Sequence, residues 1–154
     1  MILSPFSGAG FVDRTSFRVY MSADQTGIVT SVSTKVAYNL EDWDVAGWFD
    51  AATNYRYMPL IKGTYLFRHS VSIAASVASA SLEAQIWKNG TVVDRSPIRM
   101  HNTYNEQIAV VSLVQMNGTT DYVEFGVRQT TGSNQTIYGL NNKEYGFAEG
   151  ARVF

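Results

Sequence analysis

Residues 47–67 read GWFDAATNYRYMPLIKGTYLF, and the order of residue types there decides the fold. Asp50-Ala-Ala-Thr53 has the make-up of a turn and is expected to organise its loop. Tyr55-Arg-Tyr57 then sets two aromatics one residue apart, the spacing that a strand places on one face. Pro59 forces a crossing before the next strand, which Gly63 opens. Beyond Gly63 the apolar residues recur at every second position. Tyr65, Phe67, Val71 and Ile73 share one face, and Arg68, Ser70 and Ser72 share the other.

The same period of two extends in both directions. Leu82, Ala84 and Ile86 alternate with Glu83 and Gln85, and Asn89-Gly90 follows at once, the strongest two-residue hairpin signal, before Thr91-Val-Val resumes a strand. Val123, Phe125 and Val127 alternate with Glu124, Gly126 and Arg128. Gln107–Val114 differs, because Ile108, Val110 and Val114 lie on one side while Ala109, Val111 and Leu113 lie on the other. A strand apolar on both faces is covered on both, so a second surface beyond the chain's own core is expected there. No segment sustains a 3.6-residue period; the nearest, Val71–Leu82, is too rich in Ser and β-branched residues for a good helix. Turn clusters such as Asn117-Gly118 and Gly132-Ser-Asn134 separate roughly eight to ten short strands. The fold class is all-β, a sandwich of antiparallel strands, with residues 1–15 as an extended arm and 16–154 as one domain.

The chain has 154 residues, enough to bury a core without staples, yet only 16% of them are charged. Shortage of charge with 13% aromatics is the composition of a surface that meets another chain. The net charge is −1 and the basic residues are scattered, so no nucleic-acid partner is expected. The absence of cysteine excludes disulfides and thiolate chemistry. The first residues, MILSPFSGAGFVDR, lack the pattern of a signal peptide, and no window is long and apolar enough to cross a membrane as a helix, so a soluble protein made in the cytoplasm is expected.

No enzyme signature emerges. The two histidines, His69 and His101, have no nucleophile elbow beside them, and His69 shares the face of Tyr65 and Phe67. Glu41-Asp42-Trp43-Asp44 is dense in acid but lacks the regular ligand spacing of a calcium loop. Asn89-Gly-Thr91, Asn117-Gly-Thr119 and Asn134-Gln-Thr136 match the glycosylation sequon, and two of the three read better as hairpin turns. Trp43, Trp48 and Tyr55 are candidates for stacking on sugar rings, against the alternative of core or subunit contacts. No cofactor and no metal site are expected.

The opening stretch resembles the complement subcomponent q globular head and tumour necrosis factor jelly-roll family. The resemblance rests on Phe49-Asp50, Tyr55-Arg-Tyr57, Pro59 and Gly63-Thr-Tyr65-Leu-Phe67, with further landmarks in family order. Among these are Ser16–Ser22, Lys35–Asn39, Trp87-Lys-Asn-Gly90, Ala109–Leu113 with Tyr122–Phe125, and Tyr145–Gly150. Two departures stand out: the family's Gly-Asp turn is lengthened to Asn117–Asp121, and the last Gly comes one position late. The resemblance implies a ten-stranded antiparallel jelly-roll sandwich that forms homotrimers around one sheet. On that basis Tyr65, Phe67, His69, Val111, Leu113 and Tyr138 are the expected trimer contacts.

Two functions follow as expectations. In the first, the chain is a non-enzymatic structural protein of a bacteriophage virion: a capsid decoration, head fibre or tail-tip knob. It would be assembled in the host cytoplasm and anchored to other virion proteins through Leu3, Pro5, Phe6 and Phe11. Adhesion to a host-surface carbohydrate or protein would accompany that role. In the second, it is a bacterial surface or soluble trimer that binds a ligand such as carbohydrate.

Overall fold

The computed structural model describes residues 14–74, 77–101, 105–139 and 143–154. The expected arm anchors Leu3, Pro5, Phe6 and Phe11 lie outside the described residues. Within them the chain is all-β, with thirteen strand segments and no helix. These are β1 (Phe17–Tyr20), β2 (Gln25–Ile28), β3 (Thr34–Lys35), β4 (Leu40–Asp44), β5 (Phe49–Asp50), β6 (Arg56–Tyr57) and β7 (Gly63–Ser72). They continue with β8 (Ser81–Lys88), β9 (Thr91–Arg99), β10 (Gln107–Met116), β11 (Val123–Gln129), β12 (Gln135–Ile137) and β13 (Phe147–Arg152). The count exceeds ten because β3, β5 and β6 are two-residue pairings; β5 and β6 flank the Asp50 turn, and β3 docks on β11.

One sheet has five strands in the order β10-β7-β13-β1-β4. The other has six, running β5-β6-β11-β8-β9 with β3 also on β11. A two-stranded ribbon, β12-β2, closes one side. Local chemistry explains the joints. Asn89 (φ 51°) and Gly90 (φ 77°) both adopt the left-handed backbone that a tight β8–β9 hairpin needs. The longer connection from β10 to β11 is organised by Asn117, whose Oδ1 accepts the N–H groups of Thr119, Thr120 and Asp121 at 2.9–3.0 Å.

The strands read as alternating do alternate, with departures on β7, β8 and β11; on β8 the outward Glu83 and Gln85 are buried. On β7, Tyr65, Phe67, His69 and Val71 point inward as a set, but Ser70 and Ser72 on the outer side are also buried. The segment around Glu106 covers them: Ser72 Oγ donates to the Glu106 carbonyl at 3.2 Å. On β11 the outward residues Glu124 and Gly126 are buried as well. The Trp87 indole lies over Gly126 so closely that a Cβ there would strike the ring.

The core between the sheets contains a cluster of aromatic rings. Phe17 of β1 stacks on Tyr57 of β6 with centroids 4.2 Å apart, and it also meets Phe49, Phe67 and Phe125 at 5.5–6.3 Å. Gly150 of β13 is paired with both Phe17 and Phe67. A Cβ at Gly150 would strike both rings, so the missing side chain is the space they occupy. Removing the Phe17 ring leaves a void touching both sheets. Phe17→Ala is therefore expected to cost about 3–5 kcal/mol of unfolding free energy in a urea titration.

Candidate functional site

The outer face of the five-stranded sheet carries exposed apolar side chains among the described residues. Strand register aligns them in rows. Trp43, Arg18, Glu149, Arg68 and Val111 lie across β4, β1, β13, β7 and β10, and Ala151, Leu66 and Leu113 form the next row. Val111 is 53% exposed and Leu113 59%, although both sit within a regular ten-residue strand. With Trp43, Leu66 and Val153, also exposed, Val111 borders a groove of 470 Å³, and Leu113 is paired with Leu66 beside it. Apolar residues clustered in this way mark a surface that another molecule covers.

An ionic cluster sits within this face. Arg18 and Arg68 each reach one oxygen of Glu149, at 3.0 and 3.3 Å. Both guanidinium groups lie over the Phe147 ring, at 4.2 and 4.9 Å from its centroid. At this level of exposure each pair contributes no more than about 1 kcal/mol. Its larger effect is to hold two long side chains flat against the sheet, which leaves the neighbouring apolar row open.

The structure divides the expected contact residues. Val111 and Leu113 stand on the exposed face. Tyr65, Phe67 and His69 do not: all three are wholly buried inside a single chain and have no surface left to offer a second one. The expectation that they meet a neighbouring protomer is corrected on that ground; they belong to the protomer's own core. Tyr138 is half-buried just past β12, where its hydroxyl reaches the Ala74 carbonyl and Asn105. Sequence reasoning missed Leu66, Arg18, Arg68 and Glu149. Leu66 was within reach, since a residue between two inward aromatics on a strand must point outward.

The expected ligand residues are not gathered in one place either. Trp43 borders the apolar face, whereas Trp48 lines a separate hollow of 410 Å³ with Asp50, Arg56, Met58 and Leu60. Tyr55 serves the turn, at φ 49°. Asp50 is committed to its own loop. Its carboxylate accepts the N–H groups of Ala52, Thr53 and Asn54 and the Asn54 side-chain amide at 2.6–3.2 Å. Those bonds, led by Thr53, lower its pKa to about 2.

The two histidines lie in unlike settings. His101 is exposed with Nδ1 3.5 Å from Glu106. His69 is sealed in the core, Nε2 3.0 Å from the Gly126 carbonyl and Nδ1 2.9 Å from the Tyr38 hydroxyl. Only the Nε2–H tautomer gives that carbonyl a donor, and the single proton of the Tyr38 hydroxyl is shared between Nδ1 and the Ser70 carbonyl 3.0 Å away. Burial pushes the imidazole from 6.5 down to about 4, against opposing hydrogen bonds to the Gly126 and Phe147 carbonyls.

No protein-family model matches this sequence, and no curated protein matches it. Solved structures do. Murine APRIL superposes over 90% of this chain and 98% of its own, with a TM-score of 0.68 at 9% identity. The Eiger TNF of S. frugiperda covers 91% and 92%, with a TM-score of 0.61 at 11% identity. The globular domain of the zebrafish complement 1qA protein covers 91% and 98%, with a TM-score of 0.55 at 11% identity. The fold is therefore the jelly roll shared by these tumour necrosis factor and complement domains.

The buried histidine makes stability depend on pH. The unfolded chain takes up a proton near pH 6.5, while the folded one resists until about 4. The contribution is thus complete above pH 6.5 and is lost as the pH falls toward 4, by on the order of 3 kcal/mol. Denaturant titrations across that range should show the slope, and His69→Gln should flatten it. The lowered carboxylates of Asp50 and Asp121 act below this window.

Proposed function

We propose that this chain acts without catalysis, as the subunit of a homotrimer joined through the outer face of the five-stranded sheet. We assign that trimer a structural and adhesive role in a bacteriophage virion, as capsid decoration, head fibre or tail-tip knob. The observation that carries the self-association is the exposed apolar patch of Leu66, Val111 and Leu113 around the Arg18–Glu149–Arg68 cluster. Covering it removes apolar surface from water at about 25 cal/mol per Å². The likeness to the tumour necrosis factor and complement folds supports three-fold association. Three identical copies of each surface loop would then convert weak single contacts into firm attachment. The virion setting rests on the reading of residues 1–15 as an arm with apolar anchors.

A ligand-binding trimer of the bacterial surface is the second reading, and the hollow beside Trp48 favours it. Both readings share the same interface and differ in what the trimer attaches to.

Light scattering on the eluting protein should give three times the mass of one chain at micromolar concentration; a monomer there overturns the assembly. Leu113→Asp should yield a monomer whose circular dichroism is unchanged, because that side chain is exposed within the protomer. Deleting residues 1–12 should abolish co-sedimentation with phage particles and preserve the trimer. Continued decoration by the truncated protein would remove the anchor.

A further inference from the structure

At one end of the sandwich lies a cavity of 590 Å³ that is separate from both the apolar face and the Trp48 hollow. Its wall forms where β7 begins, β8 and β10 end and β13 runs out, and it includes Lys62, Lys88, Gln115, Asn117, Asp121 and Arg152. Three cations thus face one carboxylate. Lys88 accounts for that carboxylate, with Nζ 2.8 Å from Asp121 Oδ2 while it donates to the Gln115 carbonyl at 2.7 Å. The side chains of Lys62 and Arg152 have no hydrogen-bond or ion-pair partner among the described residues. Lys62 and Arg152 are therefore cations of the cavity wall that no carboxylate side chain neutralises.

Backbone packing sets these cations in place. A Cβ on Gly63 would strike Arg152 Nε and the Phe154 carbonyl, so the arginine side chain crosses the start of β7 over the missing side chain. Gly118, at φ 75°, presses the 117–121 loop onto the backbone nitrogen of Lys62, and a Cβ there would collide with it. Asn117 and Asp121 brace the same loop from within, since the Asn117 N–H also donates to Asp121 Oδ2 at 2.9 Å. Asp121 stays ionised because Lys88 and Asn89 hold its pKa down, and its charge is spent on Lys88.

An arginine fork and a lysine point charge, with Lys88 in the same wall and no carboxylate side chain to pair with, suit a multivalent oxyanion. We propose that this cavity is a binding site for a phosphate or sulfate group, free or carried on a saccharide. The site stands on one protomer's geometry and does not depend on self-association.

The test is isothermal titration of the full chain with sodium sulfate, a sulfated disaccharide and its unsulfated parent, each against sodium chloride of equal ionic strength. Saturable sulfate binding absent in chloride is expected. Lys62→Ala and Arg152→Ala should each weaken it about tenfold, with unchanged melting temperatures because both side chains are exposed. Tighter binding of the sulfated disaccharide than of sulfate assigns a saccharide as the source, and equal or weaker binding assigns the free ion. A response reproduced by chloride, by the unsulfated parent, or by the Lys62→Ala/Arg152→Ala double variant overturns the site.

Discussion

The contact between Phe17 and the space left by Gly150 governs the rest of the structure. Phe17 lies in the five-stranded sheet, yet its closest ring partner, Tyr57, belongs to the other. Its approach requires that β13, between β1 and β7, present no side chain at that point. Four further aromatic rings, from both sheets, meet Phe17. Sheet spacing, the register of β13 and the inward set of β7 all follow from it, because a shift of one residue would bring a side chain where only hydrogen fits.

That same register sets the outer face. When Phe67 and Gly150 face inward, Leu66, Arg68, Glu149 and Ala151 have to face outward. Core and assembly surface are then two sides of a single alignment. The acidic group of Glu149 is joined to two arginines 131 and 81 positions away in sequence, which only pairing of β13 with β1 and β7 could bring beside it.

Much of this was legible in the sequence where local chemistry has one solution. Asn89-Gly90 read as a hairpin because two successive left-handed residues are cheap for that pair. The alternation on β7 and the two-faced apolar character of β10 were equally plain, and Val111 and Leu113 followed from the latter. What the sequence could not supply was which apolar face met the chain's own second sheet. Tyr65 and Phe67 look as sticky as Leu66 and Leu113, and a period of two separates the sets without ranking them. Nor was the cationic cavity visible, since Lys62, Lys88 and Arg152 are scattered in sequence and meet only at strand ends.

The position of β13 has a consequence for the timing of synthesis. In chain order it is the last strand described, yet it lies between β7 and β1, so the five-stranded sheet stays in two pieces until residues 147–152 have left the ribosome. A nascent chain therefore holds an open seam where Phe17 and Phe67 lack their cover, and it has not yet placed Glu149 or Ala151 on the outer face. Closure of the core and completion of the assembly surface become one event. Unfinished chains would have no complete interface with which to join one another.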